Sequence, residues 1–204
     1  MAYEEVICLS EKIRLRSVSF DTSFLLKDKP EIDQCIKMIS KDYVPCFLTT
    51  AVVSELEQLK VWGRISVSQY KKAISRWKKA RGQIIDFHNR LLSDAFAKEC
   101  MISMEKYHGV SEENIVNDCN ILVSTLKHGV DVFLSEDFHF TSKITQNVID
   151  EITNAACTEF HQMCETGLYA IDAQTFVLTY DHGFIDAEMI ASLMQNVRKK
   201  DKNL

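Results

Sequence analysis

Apolar residues recur along the chain at two spacings, and the points where one gives way to the other mark its elements. Ile115, Cys119, Leu122, Val123 and Leu126 repeat at helical spacing behind Ser111, a suitable N-cap. Gly129 supplies the left-handed residue that ends a helix, so a helix is expected over 112–128. Val132, Phe133 and Leu134 then follow consecutively, as in a short strand covered on both faces of a parallel sheet. The same logic places a first strand at Val18–Phe20, a helix over 31–41 with Ile32, Cys35, Ile36 and Ile39 on one face, and a second strand at 46–48. Thr49 or Thr50 caps the next helix, which carries Val52, Val53, Leu56 and Leu59. Val67, Tyr70, Ile74 and Trp77 form a helical stripe expected to face the core, which leaves Trp62 outside it. A third short strand is expected at 84–87 and a helix over 91–107. A long helix with Ile144, Val148, Ile152 and Phe160 is expected to reach about residue 165, with Gly167 ending it. A last strand at 168–171, a closing helix over 187–197 and a frayed tail complete the pattern, while residues 1–17 read equally as a short helix or as a strand. Strands alternating with helices around a parallel sheet define an α/β fold.

Composition narrows the class. The chain has 204 residues, 46% of them apolar, so one sizeable core is expected; two prolines and six glycines leave no flexible linker. No apolar run approaches the ~20 residues of a membrane span, and Glu4, Glu5 and Glu11 are foreign to a signal peptide. The expectation is a cytoplasmic protein with no membrane partner. Seven cysteines without CxxC or Cys/His metal spacing read as reduced core thiols. One segment breaks the acidic balance. Residues 60–81 hold Lys60, Arg64, Lys71, Lys72, Arg76, Lys78, Lys79 and Arg81 without a single acid, in a chain of net charge -5. Charge of one sign is what a phosphate-binding face requires, although a solvated helix face looks the same in sequence.

The candidate chemistry lies in four acids. Asp21 and Asp137 each stand just past a strand, at the carboxyl edge where open α/β sheets bind ligands. Asp118 sits inside a helix beside the apolar stripe, where an aspartate adds little stability, and Glu55 lies one turn into the helix after the second strand. If the four converge, their repulsion calls for a cation, and all-oxygen ligation selects Mg²⁺ or Mn²⁺. There is no Gly-rich phosphate loop, and the six histidines are scattered.

These residues resemble the PIN domain, the metal-dependent nuclease domain of virulence-associated toxins of the VapC type and of RNA-processing factors. Its strand followed by Asp-Thr-Asn/Ser is similar to Val18-Ser19-Phe20-Asp21-Thr22-Ser23, and its glutamate after strand two to Glu55 within Thr50-Ala51-Val52-Val53-Ser54-Glu55-Leu56. The helical aspartate before a glycine resembles Asp118 with Gly129, and the final strand-end motif resembles Ser135-Glu136-Asp137-Phe138-His139-Phe140. The resemblance covers about residues 17–177 of a single domain, with 178–204 as a helical extension. It implies a three-layer α/β/α sandwich and a ribonuclease that leaves a 5′-phosphate and a 3′-hydroxyl. Asp21, Asp118 and Asp137 would then hold Mg²⁺ or Mn²⁺, Glu55 would ligate directly or through water, and Ser23 would orient Asp21, with Ser135 in support. RNA is the implied partner; an antitoxin, an RNA-processing factor and a homodimer all remain open. A PIN-like RNA-binding or scaffolding module that does not cut is the alternative. The basic helix, the long helix after Phe140 and the closing helix are additions to the small-toxin pattern.

Overall fold

A computed structural model of the chain describes residues 12–109, 112–161 and 167–201. Strands β1 (Lys12–Arg14) and β2 (Val18–Phe20) precede the short helix α1 (Thr22–Leu26) and α2 (Pro30–Lys41). Strand β3 (Cys46–Thr49) leads into α3 (Thr50–Val61) and α4 (Val67–Lys79), and β4 (Gln83–Ile85) into α5 (Arg90–His108) and α6 (Glu112–Lys127). After β5 (Val132–Leu134) come α7 (Phe138–Thr141) and α8 (Lys143–Phe160), and after β6 (Tyr169–Ile171) comes α9 (Ala173–Thr179). The described chain closes with β7 (Tyr180–Asp181), β8 (Phe184–Asp186) and α10 (Ala187–Asp201).

Five strands pair in parallel in the order β4-β3-β2-β5-β6. Val18, Phe20, Val132, Phe133 and Leu134 are all buried, as strands covered on both faces must be. Helices α2, α4 and α9 pack together on one face and α5, α6 and α8 on the other, which makes a three-layer α/β/α sandwich. From β2 the chain builds outward through β3 and β4, then returns to add β5 and β6 on the opposite side. The order therefore reverses between β2 and β5, and the crevice beyond their carboxyl ends is the ligand position of such sheets. Gly129, at φ 62, turns the chain out of α6 toward β5, as the sequence predicts.

Several elements differ from expectation. In α4 the buried residues are Ala73 and Arg76, whereas Val67 is 58% exposed and Tyr70 and Trp77 are only partly buried. Small Ala73 lets α4 lie against α1 and α2, and a stripe traced through large apolar residues passes over it. Trp77 leans instead on Gly82, where an added Cβ would stand 2.2 Å from the indole Cδ1 and Nε1. Helix α8 stops at Phe160 because His161 adopts a left-handed conformation, φ 52; residues 162–166 lie outside the described residues, as does the Ser111 cap. Helix α10 continues to Asp201, past the expected end at 197.

A second, antiparallel sheet of order β1-β8-β7 was not foreseen. It resolves the described part of the ambiguous N-terminal stretch into a strand, with Ile13 opposite Ile185. Cys35, Cys46, Cys100 and Cys119 are free and buried as expected. Cys157 is disulfide-bonded, which corrects the expectation of reduced thiols throughout; spacing alone does not determine pairing. Among the described residues, no helix is long and apolar enough to cross a membrane.

Candidate active site

The centre of the crevice is a bridge of hydroxyls between the ends of β2 and β5. The Asp21 amide donates to the Leu134 carbonyl at 2.9 Å, so the chain keeps its pairing for one residue past β2 before Asp21 caps α1. The Asp21 side chain turns inward, and the residue is 4% exposed. Its Oδ2 accepts from the Ser23 hydroxyl at 2.5 Å, the Ser135 hydroxyl at 2.9 Å and the Ser23 amide at 3.2 Å. The hydroxyl oxygens in turn accept from the next turn of backbone, Ser23 from the Glu136 amide at 2.9 Å and Ser135 from the Asp137 amide at 3.0 Å. One network thus fixes Asp21 and the segment that carries Asp137. Burial raises the pKa of the Asp21 carboxyl, and the Ser23 and Ser135 bonds oppose the shift.

Two helices bring the other acids. Thr49 caps α3 by accepting from the Val52 amide at 3.3 Å, and within this helix Glu55 accepts from the Thr22 hydroxyl at 2.5 Å. Burial raises the Glu55 pKa, Thr22 restrains it, and the charge of Asp21 raises it further. On α6, Asp118 is pushed up to about 7, first by burial and then by the charges of Asp21, Asp137 and Glu55. Asp137 caps α7 by accepting from the His139 amide at 2.9 Å, and its Oδ1 lies 3.2 Å from His139 Nδ1. The four acids singled out in the sequence therefore share one electrostatic neighbourhood at the strand-order reversal. Among the described residues, no three His, Cys, Asp or Glu side chains form a group that could hold a metal ion as they stand. The donor chemistry itself, four carboxylates and no sulfur, fits Mg²⁺ or Mn²⁺. A cation there would also relieve the repulsion that raises Asp118.

The basic segment divides into parts with different duties. Arg76 is 2% exposed; its guanidinium donates to the Leu25 carbonyl at 2.9 Å, the Lys27 carbonyl at 2.6 Å and Asp33 at 3.0 Å. It anchors α4 to the α1–α2 connection, which corrects its assignment to an RNA-facing set. Lys72 pairs with Asp28 at 2.5 Å. Lys60 lies over the Tyr70 ring, Arg64 over the exposed Trp62 and Arg81 over the exposed Tyr43. Lys71, Lys78 and Lys79 line a shallow groove with Tyr70 and Ile74.

Sequence reasoning passed over three residues of the neighbourhood. Thr22 sits inside the Asp-Thr-Ser motif, and its partnership with Glu55 arises only when α3 packs beside α1. His139 looked like one scattered histidine, yet as the second residue of α7 it meets Asp137. Glu136 is buried against Lys29 and the Ala173 amide, and no local pattern in sequence marks a buried acid of this kind. No protein-family model matches the chain, and no curated protein does.

Proposed function

We propose that this protein is a divalent-metal-dependent ribonuclease of PIN-domain type that hydrolyses RNA phosphodiester bonds in the crevice between β2 and β5. The observation that carries this reading is the environment of Asp118, a helical acid raised to about 7 by burial and by Asp21, Asp137 and Glu55 around it. Such concentrated like charge costs stability and serves no packing purpose, which is the mark of a functional site. Asp21, Asp118 and Asp137 would hold Mg²⁺ or Mn²⁺, with Glu55 as a direct or water-mediated ligand. When bound, such an ion lowers the pKa of its water and neutralises charge on a phosphoryl group. The protein's own part is positioning. Ser23 and Ser135 keep Asp21 in one orientation, and Thr22 does the same for Glu55. Asp137 is tied to α7 through the His139 amide, which fixes its position at the end of the β5 segment.

The test is incubation of mixed structured RNAs with the protein in Mn²⁺ or Mg²⁺, beside EDTA and Asp21→Asn controls. Metal-dependent cleavage that leaves 5′-phosphates and disappears in the variant is expected. RNA that is bound but stays intact in both metals would assign the chain to the alternative, an RNA-binding or scaffolding module that does not cut.

A further inference from the structure

Immediately beside the acids lies a second concavity. It is a pocket of about 230 Å³ bounded by Phe138, Ile171 and Met194, with Lys29, Glu136 and Asp172 among its polar lining residues. The volume falls below the roughly 300–1,000 Å³ of pockets that enclose a whole ligand of cofactor size, so it suits a single ring system. Phe138 follows Asp137 directly and is 54% exposed, a large aromatic left in solvent next to one of the four acids. Single-stranded RNA is read by this kind of surface, in which a base stacks on an aromatic ring and hydrogen-bonds along its Watson–Crick edge.

We propose that this pocket is the subsite for one base of the RNA next to the cleaved phosphate, and that it selects guanine. The proposal rests on the nuclease reading for the identity of the ligand, and on the pocket for its choice of base. Glu136 is fully committed: its side chain is 1% exposed, one oxygen accepts from Lys29 Nζ and the other from the Ala173 amide at 3.0 Å. It therefore fixes Lys29 rather than reading a base. Asp172 spends one oxygen on the cap of α9, accepting from the Thr175 amide at 2.7 Å, and retains free lone pairs. Lys29 and Asp172 both line this pocket, so its wall carries an ammonium and a carboxylate. Guanine matches that pair. Its O6 accepts from a cation, and the adjacent N1–H and N2–H₂ give one carboxylate two donors. Adenine and cytosine offer a carboxylate a single amino donor, and uracil flanks its one N–H with two carbonyls that a carboxylate repels. Met194 and Ile171 supply the apolar floor beneath the ring, so the C-terminal helix α10 becomes part of the substrate site.

Calorimetric titration of the metal-free protein with GMP, AMP, CMP and UMP tests this without any hydrolysis. GMP should bind on the order of tenfold more tightly than the others. Asp172→Asn, which keeps an N-cap for α9, should abolish the preference, and Phe138→Ala should weaken all four. Equal binding of the four by the wild type, or a preference that survives Asp172→Asn, overturns the proposal. Failure of the nuclease reading looks different: guanine preference in the titration with no cleavage of any RNA. Metal-dependent cleavage with no guanine enriched beside the cut would instead sink the subsite and leave the nuclease standing.

Discussion

The hydroxyl of Ser135, one residue past β5, donates to the carboxylate of Asp21, one residue past β2, at 2.9 Å. The bond crosses the point where the strand order reverses, and the same oxygen accepts from the Asp137 amide. Ser135→Ala removes both at once. The expected loss is about 1–3 kcal/mol, since a buried carboxylate and a buried amide each lose a partner. Urea unfolding should show the larger deficit at high pH, where Asp21 is ionised and the lost donor matters most.

Asp118→Asn keeps the shape of the site and removes one like charge. The metal-free variant should be more stable than the wild type, by on the order of 1 kcal/mol with an effective dielectric near 20. Excess Mn²⁺ should raise the wild-type melting temperature more than the variant's, because the variant has lost a charged ligand. Paired melts in EDTA and in metal measure both effects. A variant less stable in EDTA, with a metal-induced shift equal to the wild type's, would show Asp118 to be a structural residue.

The pH dependence has a definite sign. Folded Asp118 releases its proton near 7, whereas in the unfolded chain it does so near the ordinary 3.8. Between these values the folded state holds a proton that the unfolded state has lost, so stability of the metal-free protein falls as pH rises from about 4 to about 7. The upward shifts of Asp21 and Glu55 act in the same direction. Chemical denaturation across this range should show the decline, and Asp118→Asn should flatten it.

Arg76 and the outer lysines should separate in experiment. Arg76→Met leaves the Leu25 and Lys27 carbonyls without their guanidinium donor and should destabilise by about 3 kcal/mol in thermal or urea unfolding. Replacing Lys71, Lys78 and Lys79 by Gln should leave folding intact. If these lysines meet phosphates, each replacement lowers the salt-dependence slope of RNA binding by roughly 0.7–0.9, and an unchanged slope returns them to a solvated surface.

Gly82→Ala tests a close approach rather than a charge. The new Cβ would overlap the Trp77 indole, so the ring must move. A cost of about 1–3 kcal/mol in urea unfolding is expected, with a shift in tryptophan emission as the indole changes environment.

The elements of the parallel sheet and the four acids were legible because each is written in local pattern. Runs such as Val132-Phe133-Leu134, and acids just past strands or on flanking helices, need no knowledge of distant partners. What escaped depends on long-range contact. Strand β1 becomes a strand only by pairing with the distant β8, and Ile13 had no readable role without Ile185. The interior position of Arg76 was hidden for a further reason: its compensation comes from the Leu25 and Lys27 carbonyls, which sequence pattern does not display. The Asp-Thr-Ser motif was visible, but the bond from Thr22 to Glu55 required α3 to be in place.

The small antiparallel sheet also imposes an order on the birth of the molecule. Strand β1 is made before every other described strand, yet its partner β8 is made only after every strand of the parallel sheet. The five parallel strands and the acids between β2 and β5 can assemble while β1 waits, because none of their pairings needs residues beyond Ile171. Joining β1 to β8 closes a loop through the entire parallel sheet, the kind of contact that slows folding, and it brings residues 12 and 186 side by side. A circularly permuted chain that links these two regions and opens at a surface connection elsewhere would make that closure local, so β1 and β8 would form as neighbours in sequence.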